Sequence, residues 1–336
     1  MPRNYKKALE PKWLLTGLFF LSGIFLGALS LYIWFGLSPK SLKIHPLKSN
    51  YQHINPLLGV DFQTNDLFVV NKSLTSIIQN VINTEKGNKN ISDANIYFRE
   101  MESGDWVGVN ENTKFSSDKL LKIPIMITYY KLAESDPELL FKKLLNNYRP
   151  ATTTELFTPE DQLVFGTEYT VNDLINQMIT ENDDTAANIL FDYVDKNSLN
   201  EVFSDMGINF IEDKGVPDHI SLKLNSLFFR VLYNSTYLNR EFSERAMGLL
   251  AEVKDNTGIN AGLPKSLSTA RRFGGNVYTK NGAEFYRVYD CGVIYYPEHP
   301  YLLCVSATGA TLDGVESFLK NVSEKVYIEV KYKYKG

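Results

Sequence analysis

The sequence predicts an α+β domain, an antiparallel sheet with a helical subdomain, preceded by one transmembrane helix. Three observations predict it. An uncharged, Leu- and Phe-rich run covers residues 13–35. Strand patterns open and close the remainder of the chain. Helical periods lie between them, an order that implies a sheet closed by both ends of the domain.

The run at 13–35, at about 1.5 Å per residue, is long enough to cross a hydrocarbon core of about 30 Å. Trp13 and Trp34 stand near its two ends, where indole rings favour the interface. A cleaved signal peptide has a shorter apolar region, about 7–15 residues. Arg3, Lys6, Lys7 and Lys12 precede the run and orient the 1–12 tail to the cytoplasm. The rest of the chain is then expected outside the cytoplasm, on the cell membrane. Residues 36–66, with Pro39, Pro46 and Pro56, read as a linker, and their apolar stretch 54–59 is a candidate for docking on the domain.

The domain itself is expected over 67–336. Leu74, Ile77, Ile78, Val81 and Ile82 share one helical face. Residues 94–101 alternate as a strand, Gly104 and Asp105 turn the chain, and 106–109 return as its partner. A helix is expected from about Lys119, then mixed helices and loops to about Ala261. Strands resume at 276–279, 286–296 and 301–308, and an amphipathic helix from near Leu312 turns Val315, Phe318, Leu319 and Val322 inward.

Composition narrows the function classes. Of 336 residues, 44% are hydrophobic and 22% charged, as in ordinary globular chains, and the net charge of −4 argues against a nucleic-acid partner. Cys291 and Cys304 are too few for a disulfide scaffold. They flank a hairpin centred on 297–299, which leaves two readings open: a pair of small buried residues, or a cross-strand disulfide. No Gly-rich phosphate loop and no metal-ligand spacing is present, and no cofactor is implied. His45, His53, His219 and His299 form no Ser-His-Asp arrangement.

Three segments carry chemistry. Residues 114–127 read KFSSDKLLKIPIMI, residues 178–188 read MITENDDTAAN, and residues 278–282 read YTKNG. Their order and intervals resemble the class A β-lactamase and penicillin-binding family of serine hydrolases. The resemblance spans about Leu67 to the C-terminus and implies the β-lactamase/transpeptidase-like fold.

That family places a serine one helical turn before a lysine, so that the amine reaches the hydroxyl. Phe115, Lys122, Pro124 and Met126 set the register of the first segment. Lys122 then matches the motif lysine, and Lys119 stands at the nucleophile position behind Asp118. The family's Ser-Asp-Asn matches Asn182, Asp183 and Asp184. Its Lys-Thr-Gly, which binds the substrate carboxylate and frames the oxyanion hole, is matched to Lys280, Asn281 and Gly282. The positions implied as catalytic are thus Lys119, Lys122, Asn182, Asp184 and Lys280, with Asp183, Asn281 and Gly282 on the binding side. A rival register pairs Ser116 with Lys119, and Ser117 is a further candidate nucleophile. Both serines also suit a cap or a loop.

An amine attacking a β-lactam or peptide carbonyl yields an amide, which turns over far more slowly than a serine ester. The stretch 207–220 holds Glu212 but lacks the Glu-x-x-Leu-Asn pattern of class A enzymes. The expectation is therefore a catalytically inactive homologue that binds cell-wall peptide, a β-lactam or a protein partner. The alternative is an active hydrolase of β-lactams or D-Ala-D-Ala peptides using a displaced serine. A purely structural domain in a membrane complex is the third class. With Lys119, Lys122 and Lys280 expected around one cleft, a Lys119–Asp184 ion pair is expected to fill it.

Overall fold

The computed structural model describes residues 51–56, 72–115, 118–149, 161–208, 220–253, 256–280 and 282–334, with Gly27, Leu156 and Pro159; at 115, 118, 119 and 280 it describes the backbone alone. The chain divides into Met1–Lys48 and Ser49–Gly336. In the first unit only Gly27 is described, in a helix. The tail at 1–12 and the apolar run at 13–35 otherwise lie outside the described residues. Among the described residues no helix is long and apolar enough to cross a membrane.

The second unit is built on a five-stranded antiparallel sheet. Its strands are β1 (Asp93–Glu100), β2 (Trp106–Val109), β7 (Thr269–Lys280), β8 (Ala283–Ile294) and β9 (Tyr301–Gly309), in the order β2-β1-β9-β8-β7. The first and last strands of the domain meet as β1 and β9, the closure that the sequence predicts. Three short strands, β3 (Lys114–Phe115), β4 (Lys143–Leu145) and β5 (Glu168–Thr170), form minor pairings, with β6 (Ile220–Ser221) completing the set.

Strand alternation splits the interior in two. Ile96, Phe98, Leu303 and Val305 face helices α1 (Lys72–Gly87) and α8 (Leu312–Tyr334), whose Leu74, Ile78, Phe318 and Val322 complete that core. Tyr97, Leu302, Cys304 and Cys291 face the helical subdomain. There α2 (Lys122–Ala133) is buried at every position from Lys122 to Tyr130, as a helix apolar all round must be. Around it pack α3 (Val171–Thr180), α4 (Asp184–Tyr193), α5 (Lys196–Asp205), α6 (Leu222–Tyr233) and α7 (Arg240–Ala251).

Two features differ from the sequence expectation, and a third agrees with it. α2 starts at Lys122, and Asp118–Leu121 precede it as a single 3-10 turn. β7 starts at Thr269 rather than 276, because its first half is buried with polar residues that hide the strand pattern: Arg271 and Arg272 are 0% and 3% exposed. The start of the apolar stretch expected to dock does so. Ile54 is buried, and the Gln52 and His53 backbone N–H groups donate to Glu244 Oε1 at 3.0 and 3.1 Å. The Asn55 N–H donates to the Tyr233 carbonyl at 2.7 Å, and Tyr295 OH donates to the His53 carbonyl at 2.9 Å.

Cys291 and Cys304 stand directly opposite one another in the β8–β9 ladder and are joined as a disulfide. Of the two readings open from the sequence, the cross-strand bond is the one observed.

The C-terminal end of α8 is clamped to the β1–β2 turn. Lys333 Nζ donates to both Glu100 oxygens at 2.8 and 2.9 Å, while Tyr334 OH and Ser103 Oγ each donate to Glu100 Oε2 at 2.7 Å. Burial alone raises the Glu100 pKa, but hydrogen bonds from these three side chains and the Lys333 charge outweigh it and hold the carboxyl below its ordinary value of 4.5. The folded state therefore takes up this proton less readily than the unfolded chain. The clamp's stabilisation is complete above the ordinary value and is lost as pH falls through the lower folded one. Urea midpoints followed from neutral pH to below 4.5 are expected to fall for the native protein, with a shallower fall in Lys333→Met.

Candidate active site

The site is assembled where the start of α2, the α3–α4 junction and the buried half of β7 converge. α3 is capped at its start by Thr170, whose hydroxyl and the Asp173 carboxylate form a reciprocal capping box. After α3 ends, Asn182 takes a left-handed conformation with φ 59°, which Asn tolerates better than most residues. Asp183 then caps α4, accepting from the N–H groups of Thr185 at 2.7 Å and Ala186 at 3.1 Å. Asp183 is 2% exposed, so it holds the loop and is not presented to a ligand. This turn aims both the Asn182 side chain and its carbonyl at α2, and puts Asp184 at the first helical position.

Lys122 receives them. Its side chain is 1% exposed, and its Nζ lies 2.6 Å from Asp184 Oδ1. The same ammonium donates to the Asn182 carbonyl at 2.6 Å and to Asn182 Oδ1 at 2.8 Å. Asp184 thus forms an ion pair with Lys122, and the expected Lys119–Asp184 pair involves a side chain outside the described residues. The Lys119 side chain, Ser116, Ser117 and Asn281 lie outside the described residues.

The second cation of the site is Arg272. Its Nη2 donates to Asn182 Oδ1, so that one amide oxygen serves both Lys122 and Arg272. Burial pushes the Arg272 guanidinium below its ordinary range, and the adjacent Arg271 adds to this against the pull of Tyr289 and Asp290. Arg271 points the other way, into a buried ion pair with Asp290 at 2.6 Å. Tyr289 occupies the space that any side chain at Gly274 would need: a Cβ there would lie 2.4 Å from the Tyr289 hydroxyl.

Of the expected Lys280, Asn281 and Gly282, the backbone of Lys280 and Gly282 is described, while the Lys280 side chain and Asn281 lie outside the described residues. Lys280 pairs with Ala283 at the far tip of the β7–β8 hairpin, eight residues beyond Arg272, or about 26 Å along an extended strand. Gly282, with φ 79°, makes the turn of that hairpin. A basic residue two positions before a glycine occurs twice on this strand, as Lys280-Asn-Gly and as Arg272-Phe-Gly. Among the described side chains, Arg272 meets Lys122 at the shared Asn182 oxygen. Its signal was legible but was masked by the two adjacent arginines, which do not read as a buried strand.

The sequence profile of the Beta-lactamase enzyme family matches residues 73–330, well over half of the chain. The chain belongs to the Beta-lactamase enzyme family. Solved members of this fold superpose on it at low identity. PBP-A is 20% identical, with a TM-score of 0.63 over 79% of this chain and 98% of its own. A β-lactamase from Chitinophaga pinensis is 14% identical, with a TM-score of 0.66 over 77% of this chain and 100% of its own. The extended-spectrum β-lactamase TLA-3 is 16% identical, with a TM-score of 0.65 over 76% and 99%. No curated protein sequence is significantly similar to this chain.

Within this β-lactamase-family fold the described groups can donate and accept hydrogen bonds and offer two cations and one carboxylate. Among the described residues no cluster of His, Cys, Asp and Glu is suited to hold a metal ion. If Arg272 is the cation of the site, removing it leaves Asn182 Oδ1 to Lys122 alone and opens a buried cavity, so Arg272→Met is expected to destabilise the protein by about 2–3 kcal/mol. Lys280→Met, at the hairpin tip, is expected to change stability by no more than about 0.5 kcal/mol. Thermal melts of the two variants check the assignment.

Proposed function

We propose that this is a membrane-anchored, catalytically inactive β-lactamase-like domain that binds a cell-wall peptide through the former cleft. The observation that carries this reading is the commitment of the Lys122 amine. In the resembling family that amine serves a serine hydroxyl. Here it is engaged by Asp184 and Asn182, two residues that depart from the family motif. Lys119, at the position matched to the nucleophile, ends in an amine and cannot give the hydrolysable ester that turnover requires.

Two observations support a place outside the cytoplasm. The uncharged run at 13–35 suits a membrane anchor. The Cys291–Cys304 disulfide suits an oxidising compartment. A peptide ligand is favoured over a β-lactam because no covalent capture is needed. A mutant of PBP-A, a protein of similar fold, has been solved as an acyl-enzyme complex with penicillin G.

Labelling with a fluorescent penicillin tests the reading. The native protein is expected to form no covalent adduct. Lys119→Ser alone is expected to stay unlabelled, and labelling is expected only when Asn182→Ser and Asp184→Asn accompany it. An adduct on the native protein that vanishes in Ser116→Ala or Ser117→Ala would establish an active serine hydrolase instead.

A further inference from the structure

The contacts around Lys122 match the reactant arrangement of a second kind of chemistry. A primary amine, a carboxamide and a carboxylate meet in a buried site, with a guanidinium on the carboxamide oxygen. We propose that Lys122 and Asn182 condense into an internal amide bond, with loss of ammonia, which ties the start of α2 to the α3–α4 junction.

Lys122 Nζ is 2.8 Å from Asn182 Oδ1, and the amide carbon is one C=O bond, about 1.2 Å, beyond that oxygen, so a small side-chain shift suffices to reach a near-attack distance of about 3–3.5 Å. Asp184 Oδ1, 2.6 Å from the same nitrogen, is placed to take its proton. A third of a turn about the Cε–Nζ bond then sets the freed lone pair against Asn182 Cγ. As the N–C bond forms, the carbonyl pair moves onto Oδ1, where the Arg272 guanidinium meets the developing negative charge. Asp184 passes its proton to Nδ2 and takes one from Nζ. The C–Nδ2 bond breaks, the carbonyl re-forms, and nitrogen leaves with the remaining proton as ammonium. The products are a secondary amide and the Asp184 carboxylate. No oxidant, metal or further reactant is required.

The electrostatics run in the same direction. Lys122 and Arg272 are two buried cations converging on one oxygen, a like-charge contact in a site of low dielectric. Amide formation turns one of them into a neutral group and exports its charge as ammonium. Asp184 is 18% exposed, so its carboxylate keeps access to solvent and can accept from the new amide N–H. Water is held away from Lys122 by the burial of α2, which protects the bond once made. This inference stands whether or not the cleft takes a ligand.

Peptide mapping of the purified full-length chain tests it. Trypsin does not cleave after an acylated lysine. The expected result is a branched peptide joining the Lys122 and Asn182 segments, lighter by one ammonia than its two unmodified parts together. Asn182→Asp is expected to give the same branched peptide by losing water, and Asn182→Ser to lack it and to regain cleavage after Lys122. Recovery of folded native protein as linear peptides, with cleavage after Lys122, would overturn the proposal. The native chain alone decides that outcome, so the result does not depend on a variant folding.

Discussion

A charged amine that is 1% exposed must be met by acceptors on its N–H groups, or the helix that carries it cannot pack. Lys122 sits at the first position of α2, which is buried at every position from there to Tyr130. Its three described contacts all come from the α3–α4 junction: Asp184, and the side chain and carbonyl of Asn182. The left-handed Asn182 and the Asp183 cap present those acceptors together. A single junction thereby fixes the top of α2, the start of α4 and, through Arg272, the buried half of β7. Removing one member of such a pair typically costs about 3–5 kcal/mol, because the other is left buried and uncompensated.

The departures from the family motifs fit one another chemically. A lysine stands at 119 and an aspartate at 184, so a cation and an anion are both added to the motif positions. Asn182 supplies an amide where the resembling family has a hydroxyl. Arg272 supplies a planar donor set that reaches Asn182, a role a compact ammonium fills less well. The outcome is a polar cluster in which Lys122, Asn182, Asp184 and one end of the Arg272 guanidinium meet, while Arg272 Nε finds no hydrogen-bond partner among the described residues. A site arranged this way favours holding its own structure over releasing an amine to activate a nucleophile, and the proposed loss of catalysis follows from that.

Much of the fold was legible because it rests on periodicity. The alternation at 94–101 and 301–308 divides two cores, and the stripe from Val315 to Val322 buries α8. The motif register at Lys122, Asn182 and Asp184 was legible because helical spacing and the Asn-Asp-Asp run are local. What was not legible depended on burial of polar residues. Arg271 and Arg272 look like surface residues until Asp290 and Asn182 are seen to receive them. That concealment shortened the expected β7 and left Arg272 out of the expected site. The docking of Ile54 was legible in the apolar stretch at 54–59, but the anchoring of residues 52 and 53 was not, since it relies on backbone donors to one distant carboxylate, Glu244, that no local pattern predicts.

The central claim is that Lys122 and Asp184 act as one buried unit that organises the cleft. A double-mutant cycle by chemical denaturation, using Lys122→Met, Asp184→Asn and the pair, measures this directly. The account predicts a coupling of about 2 kcal/mol, with the double variant much more stable than the sum of the single losses implies. Losses that simply add would contradict it, because two groups that stabilise the protein independently cannot be the contact on which the site depends.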